Sequence, residues 1–152
     1  MVPQPIKSQS VIPRLDGIAR DRLMLQKLGK LPDAEFAKEE NFVRAQFYLR
    51  RALEGVFHIG GHILSRIPGG RVTEYKAIAL RLGEVGIVPQ EFASKGLKAM
   101  AGYRNRLTHF YADVNPAELQ QILRNDLADF DTFAAAIKAL LEHPEPFGLS
   151  VE

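Results

Sequence analysis

No cysteine occurs among the 152 residues, which excludes a disulfide framework and any thiolate chemistry. The same lack fits a reducing compartment. No apolar run approaches the roughly 20 residues that a membrane span needs, so no membrane partner is expected. The N-terminal run MVPQPIKSQSVIPRL places one lysine and two prolines ahead of any apolar stretch and does not read as a signal peptide. Together these features lead to the expectation of a cytoplasmic protein. Charge of one sign is also scarce: 20 basic residues stand against 18 acidic ones, a net charge of +2. So small an excess does not impose generic electrostatic attachment to nucleic acid. Affinity for RNA has to come from local clustering, and one cluster is present: Lys95, Lys98, Arg104 and Arg106, with no acid between them. Repeats, low-complexity blocks and strand-like alternation are all missing.

What is there is ordinary globular material, 46% apolar and 25% charged, of a length that fits one domain over residues 1–152 with one core. Pro3, Pro5 and Pro13 oppose helix, so residues 1–13 are expected to be an extended lead-in. A short helix is expected from about Asp16 to Leu28, closed by Gly29 with Pro32 just beyond. Phe42, Ala45, Leu49, Leu53, Val56, Ile59, Ile63 and Ile67 recur at threes and fours and define a second, longest helix with one wide apolar stripe. Gly55, Gly60 and Gly61 within it would let another helix approach closely. Thr73 is placed to cap a third helix reaching about Leu82, and Pro89 to open a fourth whose stripe runs from Phe92 through Met100 and Leu107 to Phe110. Asn115-Pro116-Ala117-Glu118 is a strong start for a fifth: an N-cap, a proline, then a glutamate that can complete a capping box. Its stripe runs from Leu119 to Leu141, with Phe130 and Phe133 as core. Residues 144–152 carry Pro144 and Pro146 and are expected to be a loose tail. Short connections make neighbouring helices antiparallel, so the expected fold is all-α, an up-and-down bundle of four to five helices.

Chemistry concentrates in Arg104-Asn105-Arg106-Leu107-Thr108-His109-Phe110-Tyr111. On a straight helix Asn105 and His109 lie about 40° apart, on one face, whereas Arg104 and His109 are separated by about 140°. Arg104 lies at the edge of the apolar stripe, a costly place for a guanidinium unless it is paired or faces a polar cleft. An imidazole that moves protons near neutral pH and a guanidinium that grips a phosphate suffice for cleaving RNA through the ribose 2′-OH. The plainer reading is that arginine and histidine close to a helix C-terminus favour the macrodipole and satisfy its last carbonyls.

The run Met100 to Tyr111 resembles the R-x-x-x-x-H-x-Y segment of HepT-type toxins of the HEPN superfamily, a family of helical bundles. The similarity extends to Leu49–Leu64 as the long second helix, to Gly83–Pro89 as the turn into the motif helix, and to Asn115–Phe133 as the closing acidic helix. The resemblance implies a HEPN-like bundle and a toxin that is a metal-independent endoribonuclease without a cofactor. Arg104 and His109 would be its catalytic pair: His109 moves protons at the ribose hydroxyl or the leaving oxygen, and Arg104 stabilises phosphoryl charge. Asn105 would support them, and so would Glu54, at a position where an acidic residue can pair with the motif arginine. Lys98 and Arg106 would contact RNA. The resemblance further implies a homodimer with two motifs across a composite cleft. It also implies a partner, an MntA-like minimal nucleotidyltransferase antitoxin that silences the enzyme by adenylylating Tyr111. The alternative is a non-catalytic HEPN subunit that binds a nucleotide or the transferase. His58 and His62, four apart, could meet one metal, but no acidic third ligand is placed by the sequence, and no metal is expected. His58 stands where relatives carry an acidic residue. Glu39, Glu40, Asp126, Asp129 and Asp131 read as solvated faces.

Overall fold

The longest apolar stripe becomes the longest helix and the centre of the bundle. The structure is a computed structural model that describes residues 4–152, with Tyr111 described by its backbone alone. Its helices are α1 (Ser8–Gly29), α2 (Asp33–Phe36), α3 (Glu39–Ser65), α4 (Tyr75–Glu84), α5 (Gln90–Phe92), α6 (Lys98–His109), α7 (Pro116–Asn125) and α8 (Ala128–Glu142). A parallel pair of short strands, β1 (Gln4–Ile6) and β2 (Leu149–Val151), completes it. Helix α3 turns Leu49, Leu53, Val56, Ile59 and Ile63 into the core; α1, α4, α6 and α7 pack around it.

Several boundaries depart from the sequence expectation, each for a physical reason. The first helix begins at Ser8, well before Asp16, and runs through Pro13. Pro13 lies on the solvent face, so it forfeits one ladder bond while Val11 and Leu15 on either side are buried. The extended lead-in therefore reduces, within the described residues, to β1; Pro3 lies outside them. The expected loose tail is ordered: Leu149 is buried, and the register pairs Gln4 with Leu149, Pro5 with Ser150 and Ile6 with Val151. Three-residue strands carry too few positions for alternation to be read, which is why the sequence showed no sheet.

Thr73 does not cap α4, whose N-cap is Glu74 with no side-chain cap bond. Pro89 is the N-cap residue before α5 rather than its first helical residue. Residues 93–97 between α5 and α6 form a π-helical segment, Ala93–Leu97, so the motif helix enters with an extra residue in its turn. The start of α7 is as expected: the Asn115 side chain accepts a bond from the Glu118 amide at 2.9 Å. The capping box is not completed, because the Glu118 carboxylate turns to Arg106. The single fifth helix is divided, because Asp126 leaves the helical region at φ −116°, ψ 0°. This frees α7 to pack across α1 and α3, while α8 lies along α1.

Small residues set the distances between helices. A Cβ on Gly60 would stand 2.9 Å from Ile78 and 3.0 Å from Leu82, so α4 rests directly on α3 there. At the end of α1, orphan carbonyls find side-chain donors on α7: Arg124 donates to Gly29 at 2.8 Å, and buried Gln120 donates to Leu31 at 2.9 Å.

Candidate active site

The motif occupies the end of α6. Leu107 is buried and holds the helix to the core. The helix ends at His109; Phe110 is its C-cap at φ −133°, ψ 37°, and Tyr111–Asp113 forms a 3₁₀ turn. Leaving the helix removes Phe110 from the apolar stripe: it is 59% exposed, not core. The Tyr111 side chain lies outside what the structure describes.

Arg104 is held from three sides. Glu54 of α3 approaches its guanidinium at 3.7 Å. Asn105 accepts a bond from it at 3.4 Å. The ring of Tyr75, the first residue of α4, lies 4.4 Å from Cζ. Tyr75 in turn stacks on buried Phe57 of α3, with centroids 4.8 Å apart and planes at 20°. The guanidinium is therefore the top layer of a three-layer stack rooted in the core. Glu54 is half-buried and faces the arginine, not open solvent. At 3.7 Å it balances charge without closing the short bonds of about 2.7–2.9 Å that a saturated ion pair makes. Arg104 Nε, moreover, is buried without a partner.

That unpaired donor has neighbours of the same kind. Tyr103 Oη and Thr108 Oγ1, also on α6, are buried and unpartnered. Buried polar atoms are almost always satisfied, so the unpartnered Arg104 Nε leaves this guanidinium with bonding capacity to spare. Burial, reinforced by the Glu118 charge, pushes the Tyr103 hydroxyl up to about 12, so it stays protonated near neutral pH and serves as a donor.

The structure brings Arg104, Asn105 and Glu54 together and leaves His109 apart. His109 is exposed at the end of the same unbroken helix, so the separation of about 140° from Arg104 persists within one chain. The basic cluster is largely spoken for: Lys95 pairs with Glu91, and Arg106 grips Glu118 with both terminal nitrogens. The Arg106 side-chain bond holds the Glu118 carboxyl below its ordinary range. Lys98 is exposed and forms no ion pair among the described residues.

Of His58 and His62, the pair four apart, His62 already has a bonded ring nitrogen. His62 Nε2 accepts the Lys7 amide at 3.0 Å, so that lone pair is used. Burial, and then the charges of Arg66, Arg14 and Lys7, hold its pKa below the ordinary value. Among the described residues no group of three or more His, Asp or Glu is placed to hold a metal ion. Of the expected solvated acids, Asp129 is an exception: it is half-buried, and burial followed by Asp126 pushes its carboxyl up. Two features escaped the sequence. Tyr75 bears no periodic relation to Arg104. Asp21, 2% exposed and bound by Arg51 at 2.9 and 2.6 Å, did leave a signal: an acid in register with Ile18, Leu25 and Leu28 on an apolar face.

A helical bundle whose motif helix presents an under-bonded arginine, with a histidine one and a half turns on, defines a class of protein, and comparison with known proteins gives it a family. The profile of the family described as ribonuclease HepT-like fits residues 24–137, which include the whole motif, so the chain belongs to the HepT-like family of the HEPN proteins. A relative from Aphanizomenon flos-aquae described as tRNA nuclease HepT is 29% identical over 94 residues, which span 61% of this chain and 63% of that protein. The fold matches the Shewanella oneidensis HEPN toxin, solved tri-AMPylated in complex with MNT antitoxin: TM-score 0.76 at 23% identity, over 85% of this chain and 96% of that one. It also matches a mutant of the toxin-antitoxin MntA-HpeT, with TM-score 0.75 at 23% identity over 86% of this chain and 98% of that one. No described helix is long and apolar enough to cross a membrane.

Proposed function

We propose that this protein is a toxin-type endoribonuclease that cleaves RNA through the ribose 2′-OH, working as a homodimer and silenced by a nucleotidyltransferase antitoxin. The observation that carries the reading is the Arg104 guanidinium, held by Glu54 and Tyr75 with donors left unused. Such a group is ready for a phosphate oxygen. His109 removes the 2′-OH proton as that oxygen bonds to phosphorus, and the bond to the 5′ oxygen breaks. The products are a cyclic phosphate and a 5′-hydroxyl that takes up a proton. Arg104 neutralises the charge that builds on the non-bridging oxygens. Neither group needs a metal for these steps.

Arg104 and His109 point apart on one helix, so each site is built from Arg104 of one protomer and His109 of the other. Exposed Phe110 beside the motif gives such a pairing an apolar contact. The relative described as tRNA nuclease HepT supports RNA, and tRNA within it, as the substrate class. The fold relative solved tri-AMPylated with its antitoxin supports silencing at Tyr111, two residues past His109. AMP added to that side chain brings negative charge to the place a phosphate must occupy.

Replacing His109 tests the catalytic step. His109→Ala is expected to lower RNA cleavage by about 10²- to 10⁴-fold, the ordinary contribution of a general acid-base group. Retained cleavage in His109→Ala would overturn this mechanism, and a wild type that cleaves no RNA would leave the protein as a nucleotide- or partner-binding subunit.

A further inference from the structure

Between α1 and α3 lies an open, polar cleft of about 590 Å³, lined by Arg14, Arg20, Asp21, Arg51, Glu54 and His58 among others. Its two acids are already answered. Asp21 is buried under the paired bonds of Arg51, and Glu54 faces Arg104. Arg14 and Arg20 are exposed and form no ion pair among the described residues, although Arg14 donates to the Ser10 carbonyl at 2.9 Å. The cleft therefore presents two exposed guanidinium groups, with Asp21 tied to Arg51 and Glu54 loosely balanced by Arg104. Because Glu54 belongs both to its wall and to the motif site, the cleft leads to Arg104.

The rim adds aromatic surface. Phe47, 46% exposed, lies 4.9 Å from the Arg51 guanidinium and meets Tyr48 edge-on at 5.7 Å. Arg44 stands 6.0 Å from the Tyr48 ring on the same helix. Guanidinium groups beside exposed rings, along a groove, make the surface on which single-stranded nucleic acid tracks its phosphates and stacks its bases.

We infer that the α1–α3 cleft is the RNA-binding track of this protein: Arg14 and Arg20 hold backbone phosphates, Phe47 stacks a base, and the strand runs past Glu54 to Arg104. This rests on the ribonuclease reading and replaces the short Lys98–Arg106 stretch, whose Arg106 is engaged by Glu118, as the main RNA contact.

The test uses the full-length protein and a fluorescent RNA oligonucleotide carrying 2′-O-methyl groups, which binds without being cut. Fluorescence anisotropy gives Kd across a salt series, and an unmodified copy of the oligonucleotide reports cleavage. The double variant Arg14→Ala/Arg20→Ala is expected to bind about tenfold more weakly at low salt. The slope of log Kd against log salt should fall by about 1.4, the value of two phosphate contacts at about 0.7 each on a single strand. Phe47→Ala should weaken binding by about fivefold or more. Lys138→Ala, which removes an exposed charge outside the cleft, should do neither. Arg51 is left in place, because its loss would strand buried Asp21. Unchanged affinity and slope in the cleft variants, with wild-type cleavage intact, would overturn the track alone. A wild type that binds through the cleft and never cleaves would overturn the catalytic reading alone. A wild type that neither binds nor cleaves would overturn both. A change of oligomeric state with RNA binding retained would assign the face to a second copy and overturn the proposal.

Discussion

At the residue scale the site turns on how one guanidinium is held. Glu54 offsets its charge, but a half-exposed ion pair at 3.7 Å is worth only about 0–1 kcal/mol. The Tyr75 ring contributes about 1–2 kcal/mol at a half-buried position and adds direction, because Phe57 fixes the ring behind it. Tyr75 is therefore a positioning residue. Tyr75→Leu should lower kcat for RNA cleavage about tenfold, the equivalent of about 1.4 kcal/mol, with KM and helicity near wild type. Tyr75→Phe should restore the rate, since the ring and not the hydroxyl makes the contact. Equal rates in Tyr75→Leu and wild type would remove this role. The sequence announced Arg104 through its neighbours in the chain, and Glu54 through resemblance to a family. It could not announce Tyr75, which reaches the site from another helix, where periodicity carries no information about the partner. Phe110 escapes the periodicity for a related reason: the apolar spacing continues past His109, where the helix stops.

Elements are placed by close contacts and by two unusual joints. The π-helical segment Ala93–Leu97 seats the motif helix against α4, and a Cβ on Gly83 would come within 2.5 Å of the Ala93 Cβ. No real contact is that short, so Gly83→Ala has to push the motif helix outward. A loss of about 1–3 kcal/mol is expected, seen as a drop of several degrees in Tm by differential scanning calorimetry. An unchanged Tm would show that the joint yields freely. The second joint is the bond from the Lys7 amide to His62, which ties the end of β1 to α3. Folding lowers the His62 pKa from its ordinary 6.5, chiefly by burial, so the unfolded chain takes up the proton first as pH falls. The neutral-imidazole contribution is complete above about pH 6.5 and is lost as pH falls toward the folded value. Thermal melts from about pH 7.5 down to about 5.5 should show a fall in Tm that His62→Gln, which keeps an acceptor but not the titration, reduces. A wild-type and variant response of equal size would place the effect elsewhere. Long amphipathic helices were legible because burial repeats along them. The π segment, the break at Asp126 and the three-residue strands were not, since each depends on contacts made only after the helices assemble.

The whole molecule is a frame that leaves its chemistry unfinished. Three buried donors on α6 lack partners, Arg104 keeps free bonding capacity, and His109 sits on another face of the same helix. Bundle and family were legible in the sequence because the apolar stripes and the motif agreed. The relation between Arg104 and His109, the proposed catalytic pair, was legible only as an angle. Its resolution by a second copy is the central claim, and subunit mixing tests it most directly. Arg104→Ala and His109→Ala proteins are each expected to be inactive on RNA alone. Mixed in equal amounts and allowed to exchange protomers, they form a mixed dimer with one intact site built from the wild-type Arg104 of one chain and His109 of the other. Cleavage should return to about a quarter of the wild-type rate, because about half the dimers are mixed and each has one working site of two. A mixture no more active than either parent, in a protein whose wild type cleaves RNA and exchanges subunits, would contradict the shared site.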